Sequence, residues 1–137
     1  MSYRLAAGFQ EAVYRRLSED TTLERAVGAE IYDAPPVGGL PRTYVTIGEE
    51  EVHDRSDRSG GGALHRFTVS VVTDVAGFRE AKAAAGAVSD ALLGAPLEMA
   101  RGRVTGLWFD RARAQRTGSG ARRIDLRFRA RLDDDIN

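Results

Sequence analysis

The fold is decided by residues 31–74, whose sequence is IYDAPPVGGLPRTYVTIGEEEVHDRSDRSGGGALHRFTVSVVTD. Residues 43–48 and 64–73 alternate apolar and polar side chains and are rich in β-branched and aromatic residues, which predicts two strands. The segment between them, residues 49–62, is charged, ends in three glycines and is too long for a tight turn. We therefore expect a hairpin whose strands carry a mobile loop over residues 49–62.

Two amphipathic helices are predicted on either side of this hairpin. Apolar residues recur every three or four positions in residues 2–17 and 76–93, which is the spacing of a helix with one buried face. A short helix is expected between the first of these and the hairpin. It begins at a cap on Asp20 or Thr21 and ends at Gly28.

Two further strands are predicted near the end of the chain, at residues 103–114 and 121–132. The second alternates apolar and charged side chains, so one of its faces is buried and the other is wet or covered by a partner. Together with a short extended segment at residues 31–32, the order of elements predicts one α+β domain over residues 1–137. We expect a mainly antiparallel sheet of four to five strands with two main helices packed on one face.

Charge is unevenly distributed along the chain, although the formal net charge is zero. Residues 1–63 carry seven arginines and eleven carboxylates, a net charge of −4. Residues 101–131 carry ten arginines and two carboxylates, a net charge of +8, and an acidic tail follows at residues 133–137. The two signs either neutralise each other within the fold or attract a charged partner, including a second copy of the chain.

The composition is that of a globular protein, with 42% hydrophobic and 29% charged residues in a chain of 137. Because the chain has no cysteine, a disulfide framework and a thiolate metal site are excluded. The amino-terminal residues lack the pattern of a signal peptide, and we expect no membrane-spanning segment.

No catalytic, cofactor or metal site is expected. His53 lies among carboxylates, but these residues are contiguous in sequence rather than convergent, which argues against a metal site. His65 is interpreted as structural, and no nucleophile, histidine and acid form a catalytic set. The three glycines at residues 60–62 precede a strand rather than a helix, unlike those of a phosphate-binding loop.

The arginines of the last strand lie on one face and require acids opposite them. Asp110 on the neighbouring strand or the acidic loop of another subunit could supply these acids, and the alternative is that the arginines bind nucleic-acid phosphates. Trp108 and Phe109 are adjacent and point to opposite faces, so we expect one in the core and the other under a helix or at an interface. The subunit-interface candidates are Trp108, Arg122, Arg127, Arg129 and Arg131.

Several segments resemble, in order, those of the small tail completion (tail terminator) proteins of long-tailed phages and gene transfer agents. These segments are IYDAPP, YVTIGEEEVHD, GGGALHRFTVSVVTD, EAKAAAGAVSDALLGAPL and RIDLRFRARL. The resemblance covers nearly the whole chain and is closest to the gene-transfer-agent type.

The resemblance implies a non-enzymatic structural protein of the virion, without a cofactor. Proteins of this family form a hexameric ring on the last ring of the tail tube, stop tube polymerisation and join the tail to the head–neck connector, also called the stopper. The implied partners are further copies of the chain, the major tail tube protein and the connector, with DNA only as passing cargo. The implied location is the head–tail junction, after assembly in the bacterial host cytoplasm.

Within this family role, we expect the charged loop to reach beyond the subunit, towards the tube, the connector or the channel lumen. The loop candidates are Glu49, Glu50, Glu51, His53, Asp54, Arg55, Asp57 and Arg58. The alternative function is a small nucleic-acid-binding or regulatory domain that uses the arginine-rich sheet face.

Overall fold

The described part of the chain forms three helices and a sheet of five strands. The structure is a computed structural model and describes residues 3–34, 41–55 and 61–135. In chain order the elements are α1 (Ala6–Glu19), α2 (Thr21–Val27), β1 (Ile31–Tyr32), β2 (Thr43–Asp54), β3 (Gly62–Thr73), α3 (Arg79–Leu93), β4 (Arg103–Arg116) and β5 (Arg122–Asp133).

The strands lie in the order β1, β2, β3, β5, β4 across the sheet. β1 runs parallel to β2, and the other neighbouring pairs are antiparallel. The last strand of the chain, β5, is therefore inserted between β3 and β4, and β4 forms one edge of the sheet. This architecture confirms the predicted α+β fold with a mainly antiparallel sheet.

Alternate residues of β3 and β5 form the centre of the hydrophobic core. Phe67 and Phe128 are register partners, and their rings stack with centroids 5.5 Å apart. Phe9 of α1 packs edge-on against Phe67 at 5.1 Å. Apolar residues of all three helices belong to the same buried cluster, so the helices cover this side of the sheet.

The helices follow the predicted apolar spacing. The buried positions of α3 are mostly alanines, which let its backbone lie close to the sheet. α2 begins at Asp20, whose side chain accepts a hydrogen bond from the backbone N–H of Leu23 at 2.9 Å. It ends at Gly28, whose φ of 63° is a conformation that favours glycine.

β2 is longer than predicted and continues to Asp54. The expected loop boundary at Glu49 is therefore wrong, because β2 continues through it, residues 50–54 are paired with β3, and Glu51 lies opposite Arg66. A bulge between Ile47 and Glu50 takes up one extra residue. Strand pairing tolerates these charged side chains because one face of an antiparallel sheet can be exposed to water.

The segment between β2 and β3 is correspondingly short and comprises residues 55–61. Arg55 donates its backbone N–H to the carbonyl of Gly62 at 2.8 Å, which closes the described end of the hairpin. Of the loop candidates, Asp57 and Arg58 lie outside the described residues, as do the other residues of 56–60.

Candidate assembly surface

The sheet face opposite the helices, called here the open face, is acidic towards β2 and basic towards β4. Because register partners share a face, Glu51 of β2, Arg66 of β3, Arg129 of β5 and Trp108 of β4 form one row across it. Glutamates of this part of the sheet lie on β2, and the arginines lie on the strands beyond it, where Asp110 of β4 is the acid among them. The open face therefore has an acidic side and a basic side.

Arg129 is held by two side chains of β4. Its guanidinium forms an ion pair with Asp110 and lies over the ring of Trp108, 5.1 Å from the centroid. Asp110 of the same chain is thus the acid opposite this arginine, which was one of the two sources considered from the sequence. The pair links the central strand β5 to the edge strand β4.

Arg131 and Arg122 have different surroundings. Arg131 pairs with Asp133 at 3.0 Å on the same strand. Arg122 lies opposite Thr73 and donates to the backbone carbonyl of Val75 at 3.2 Å. Because Thr73 is buried on the helix-covered side, Arg122 does not belong to the arginine row of the open face.

Arg127 lies in an open cleft of about 470 Å³ that crosses the open face. Within residues 3–34, 41–55 and 61–135 it has no carboxylate in salt-bridge contact. The cleft brings Arg127 together with the acidic residues that the sequence had placed in a loop. Glu50 is the register partner of Phe67, so its side chain lies on the helix-covered side of the sheet, where partial burial raises its pKa above the ordinary value. The cleft is lined by Glu49, Glu50, Glu51, Arg66, Phe67, Thr68, Asp110, Arg111 and Arg127.

β4 is an exposed edge strand, and none of its residues is buried. Trp108 on the open face and Phe109 on the opposite face are each 44% exposed, although Phe109 contacts the buried Phe128 at 5.8 Å. The expectation that one of these aromatic residues is in the core is wrong. Ala112 and Ala114 are exposed as well, so in the described ranges the helices leave this part of β4 uncovered.

The indole of Trp108 lies along β4 over Gly106. A Cβ atom added at Gly106 would overlap the six-membered ring of the indole. The ring can occupy this position because Gly106 has no side chain, and the guanidinium of Arg129 lies against the face of the ring. An aromatic side chain that covers a strand glycine in this way also protects the local backbone from water.

Two edge arginines, Arg111 and Arg113, were not among the sequence-based candidates. Both are exposed, and they lie level with Arg127 and Asp125 of β5. The signal for them was present in residues 111–114, where arginine alternates with alanine. That pattern indicates a strand whose second face has little to bury.

The acidic tail predicted at residues 133–137 is in contact with the rest of the chain. Arg101 donates two hydrogen bonds to the carboxylate of Asp134, both at 2.9 Å. Asp135 accepts from the backbone N–H of Gly102 at 2.9 Å. Residues 136–137 lie outside the described ranges.

The two histidines have contrasting environments. His53 is partly exposed, and its Nε2 lies 2.9 Å from Glu51 Oε1. His65 is fully buried beside Phe9, and neither ring nitrogen has a hydrogen-bond partner in the structure. Burial lowers the pKa of His65, so its ring is held neutral in the core.

The part of the chain that the structure describes contains neither a metal-binding cluster nor a membrane-spanning helix. There, no three or more histidine, aspartate or glutamate side chains form a group that could hold a metal ion. Nor does any helix of that part have the length and hydrophobicity needed to cross a membrane.

Residues 11–133 match the family model of the tail completion protein gp17. The chain belongs to this tail completion family. The resemblance identified from the ordered sequence segments is thereby confirmed. A tail completion protein acts by assembly, which agrees with the exposed, charged surface described above.

A solved structure described as the virion of a native gene transfer agent particle contains a chain similar to this tail completion protein. The two chains are 55% identical and superpose with a TM-score of 0.91. The match covers 96% of this chain and 99% of the other. No functionally curated protein matches the chain. Family and structural likeness together identify a structural tail protein and point to a non-enzymatic role.

Proposed function

We propose that this tail completion protein is a tail terminator, which forms a hexameric ring at the head-proximal end of the tail tube. The ring stops tube polymerisation and joins the tail to the head–neck connector. The observation that carries the proposal is the match, over nearly the full length of both chains, to a chain of a gene transfer agent virion at 55% identity. The family match over residues 11–133 supports the same role.

The asymmetry of the sheet favours a ring. In a cyclic ring each subunit uses two different surfaces, one for each neighbour. On one side of the sheet, the part of β2 that β1 does not cover carries carboxylates, and on the other side β4 carries mainly arginines. A protein with one self-complementary patch would instead form a closed dimer.

The proposed location is the head–tail junction of the virion, after assembly in the host cytoplasm. There the ring contacts the major tail tube protein on one side and the connector on the other, and DNA passes through its centre. Asp54, Arg55 and Gly61, the described residues at the end of the β2–β3 hairpin, replace the longer predicted loop as the part proposed to reach one of these partners.

Electron microscopy of particles from a strain that lacks the gene tests the terminator role. We expect overlong tails and heads without tails, because tube growth is no longer stopped and no surface is offered to the connector. A plasmid copy of the wild-type gene should restore tails of uniform length. Tails of normal length that are still joined to heads in the deletion strain would refute the proposal.

Nucleic-acid binding by the arginine face is the competing function. Arg129 and Arg131 already pair with Asp110 and Asp133, which leaves fewer free cations for phosphates. A fluorescence titration with duplex DNA at two salt concentrations separates the two functions. A terminator should show only weak binding, whereas strong and salt-sensitive affinity would favour the competitor.

A further inference from the structure

We propose that neighbouring copies associate by their sheet edges, so that β4 of one copy pairs in an antiparallel fashion with β2 of the next. The contact places the arginines of the β4 edge against the carboxylates of the β2 edge. It names the surfaces by which the ring is built, and it rests on the proposed terminator function for the closure of that ring.

The first support is the unpaired backbone at both edges. β1 covers only Val45 and Thr46 of β2. Within the described ranges, residues 47–54 have no strand neighbour on that side, and β4 pairs only with β5. Each such edge presents a row of N–H and C=O groups that can pair with another strand.

The second support is strand direction. β2, β3, β5 and β4 alternate in direction across the sheet. A second copy placed beside β4 with its sheet in the same orientation therefore presents β2 running antiparallel to β4. The added pair continues the hydrogen-bonding pattern of the sheet and needs no inversion of the subunit.

The third support is charge. On the open face, Arg111 lies level with Arg127 and Thr68, which is the level of the β2 bulge that contains Glu49. Trp108 lies level with Glu51. Without any stagger between copies, Arg111 thus faces Glu49 of the next copy, and Trp108 is covered by the strand end that carries Glu51.

The same charges select against the wrong contacts. Two β4 edges would bring arginine against arginine, and two β2 edges would bring glutamate against glutamate. Charged side chains and bulges on edge strands discourage indiscriminate pairing. Here the charges make only the contact between β4 and β2 attractive. Repulsion between like edges therefore makes the contact specific.

The bends of the two edges also agree. β2 bulges between Ile47 and Glu50, and β4 bulges between Phe109 and Arg111. The β2 bulge lies between the rows of Phe67 and Val69, and the β4 bulge lies between the rows of Phe67 and Thr68. The two edges therefore bend at nearly the same level of the sheet. The contact between β4 of one copy and β2 of the next, called here the seam, can follow both bends.

Cysteine cross-linking in the particle tests the seam directly, because the chain has no cysteine of its own. The chain with Glu49→Cys and Arg111→Cys is produced in the deletion strain, and purified particles are oxidised and run on a non-reducing gel. Within one chain the two positions lie on opposite edges of four strands, about 14 Å apart at ~4.8 Å per strand. A disulfide needs Cα atoms within about 7 Å, so any disulfide joins two copies.

A ladder of covalent multimers is the expected result, and its upper limit gives the number of subunits in the ring. The matched control carries Arg111→Cys with Lys82→Cys, because Lys82 is exposed on α3 rather than at a sheet edge. We expect no ladder from the control. Monomer alone from particles that contain the Glu49→Cys and Arg111→Cys chain would refute the edge contact.

A charge-reversal cycle provides a second test that does not depend on oxidation. The β4 variant carries Arg111→Glu and Arg113→Glu, and the β2 variant carries Glu49→Arg and Glu51→Arg. Each alone is expected to lower the yield of joined particles about tenfold or more, since attraction at the seam becomes repulsion. The chain with all four substitutions should recover to within about twofold of wild type, because its edges are again opposite in charge.

The cycle has two outcomes that would refute the proposal. One is normal particle yield from either single-edge variant. The other is no recovery in the four-substitution chain when circular dichroism shows that it is folded. The two proposals can fail separately. Overlong tails in the deletion strain support the terminator role, and if the gel then shows only monomer, the seam alone is refuted.

Discussion

β3 and β4 flank the same strand, β5, and show how differently one sheet uses its centre and its edge. Both are long and antiparallel to β5, with 12 and 14 residues. Nine residues of β3 are buried, whereas none of β4 is. The centre, with helices on one face and strands on both sides, supplies stability. The edge keeps aromatic and charged groups in solvent, where they are available for assembly.

Replacing one aromatic residue in each region is the sharpest test of this difference. Phe128→Ala should lower the free energy of unfolding by about 3–5 kcal/mol, because it empties a fully buried site between Phe67 and Phe109. Trp108→Ala should cost about 1 kcal/mol or less, since its ring is already 44% exposed. Urea denaturation followed by circular dichroism measures both. Equal losses would abolish the distinction between centre and edge.

Three polar residues of β3 are buried, and His65 differs from Ser70 and Thr73 because its side chain has no hydrogen-bond partner among the described residues. With both ring nitrogens buried and unpartnered, His65→Leu should raise the free energy of unfolding by about 1–3 kcal/mol at neutral pH. His53→Leu controls for the loss of a histidine as such, because His53 is partly exposed on β2. A destabilised His65→Leu variant would mean that the ring nitrogens have partners, such as buried water.

The pH dependence of His65 follows from the direction of its pKa shift. Burial lowers its pKa in the folded state, so below about pH 6.5 the unfolded chain binds a proton that the folded chain does not. Stability therefore falls as pH falls, by up to about 1.4 kcal/mol per pH unit. His65→Leu should remove this slope in urea titrations between pH 7.5 and 5.5.

Glu50 acts in the opposite direction at lower pH. Because its pKa is raised in the folded state, the folded chain gains stability as pH falls through that value. The two contributions therefore have opposite signs, and the difference between wild type and His65→Leu isolates that of the histidine. A slope that is unchanged in His65→Leu would assign the acid sensitivity to other groups.

The stability of the helix layer that covers the centre depends in part on the N-terminal cap of α2. Asp20→Ala should lower the free energy of unfolding by about 1 kcal/mol, because the N–H of Leu23 loses its acceptor. Asp20→Asn keeps an acceptor oxygen and is the matched control. Thermal unfolding of both variants gives the comparison, and equal loss in the two would exclude a role for the cap.

The smallest effect on stability is expected where centre and edge meet. Arg129→Ala removes the ion pair with Asp110 and the contact with Trp108, and should cost less than about 1 kcal/mol because the pair is partly exposed. Raising the salt concentration should reduce even this difference. A loss as large as that of Phe128→Ala would show that the edge of the sheet contributes to the core.

The centre was predictable from sequence because its signals are local. Alternation in residues 64–73 and 121–132 and the apolar spacing of the helices predicted the strands, the helices and the buried set around Phe67 and Phe128. The alternation offered Asp110 as one of two possible sources of acid for the arginines, and the structure pairs it with Arg129.

The edges were less predictable because their signals depend on strand order. Residues 49–54 read as a loop, since three successive glutamates carry no alternation, and only pairing with β3 makes them a strand. The prediction for Trp108 and Phe109 placed one of them in the core, which would require that the helices cover that face of β4. Chain order alone does not reveal that β5 takes the inner position and leaves β4 outside.

Trp108 is the single tryptophan of the chain, so its fluorescence reports on the edge strand alone. The indole is seated over Gly106 and beside Arg129 before any partner arrives. Covering it on assembly would shift its emission to shorter wavelength and shield it from iodide or acrylamide quenching. Because the ring is already fixed, the shift would measure the loss of water at the strand rather than a rearrangement of the side chain.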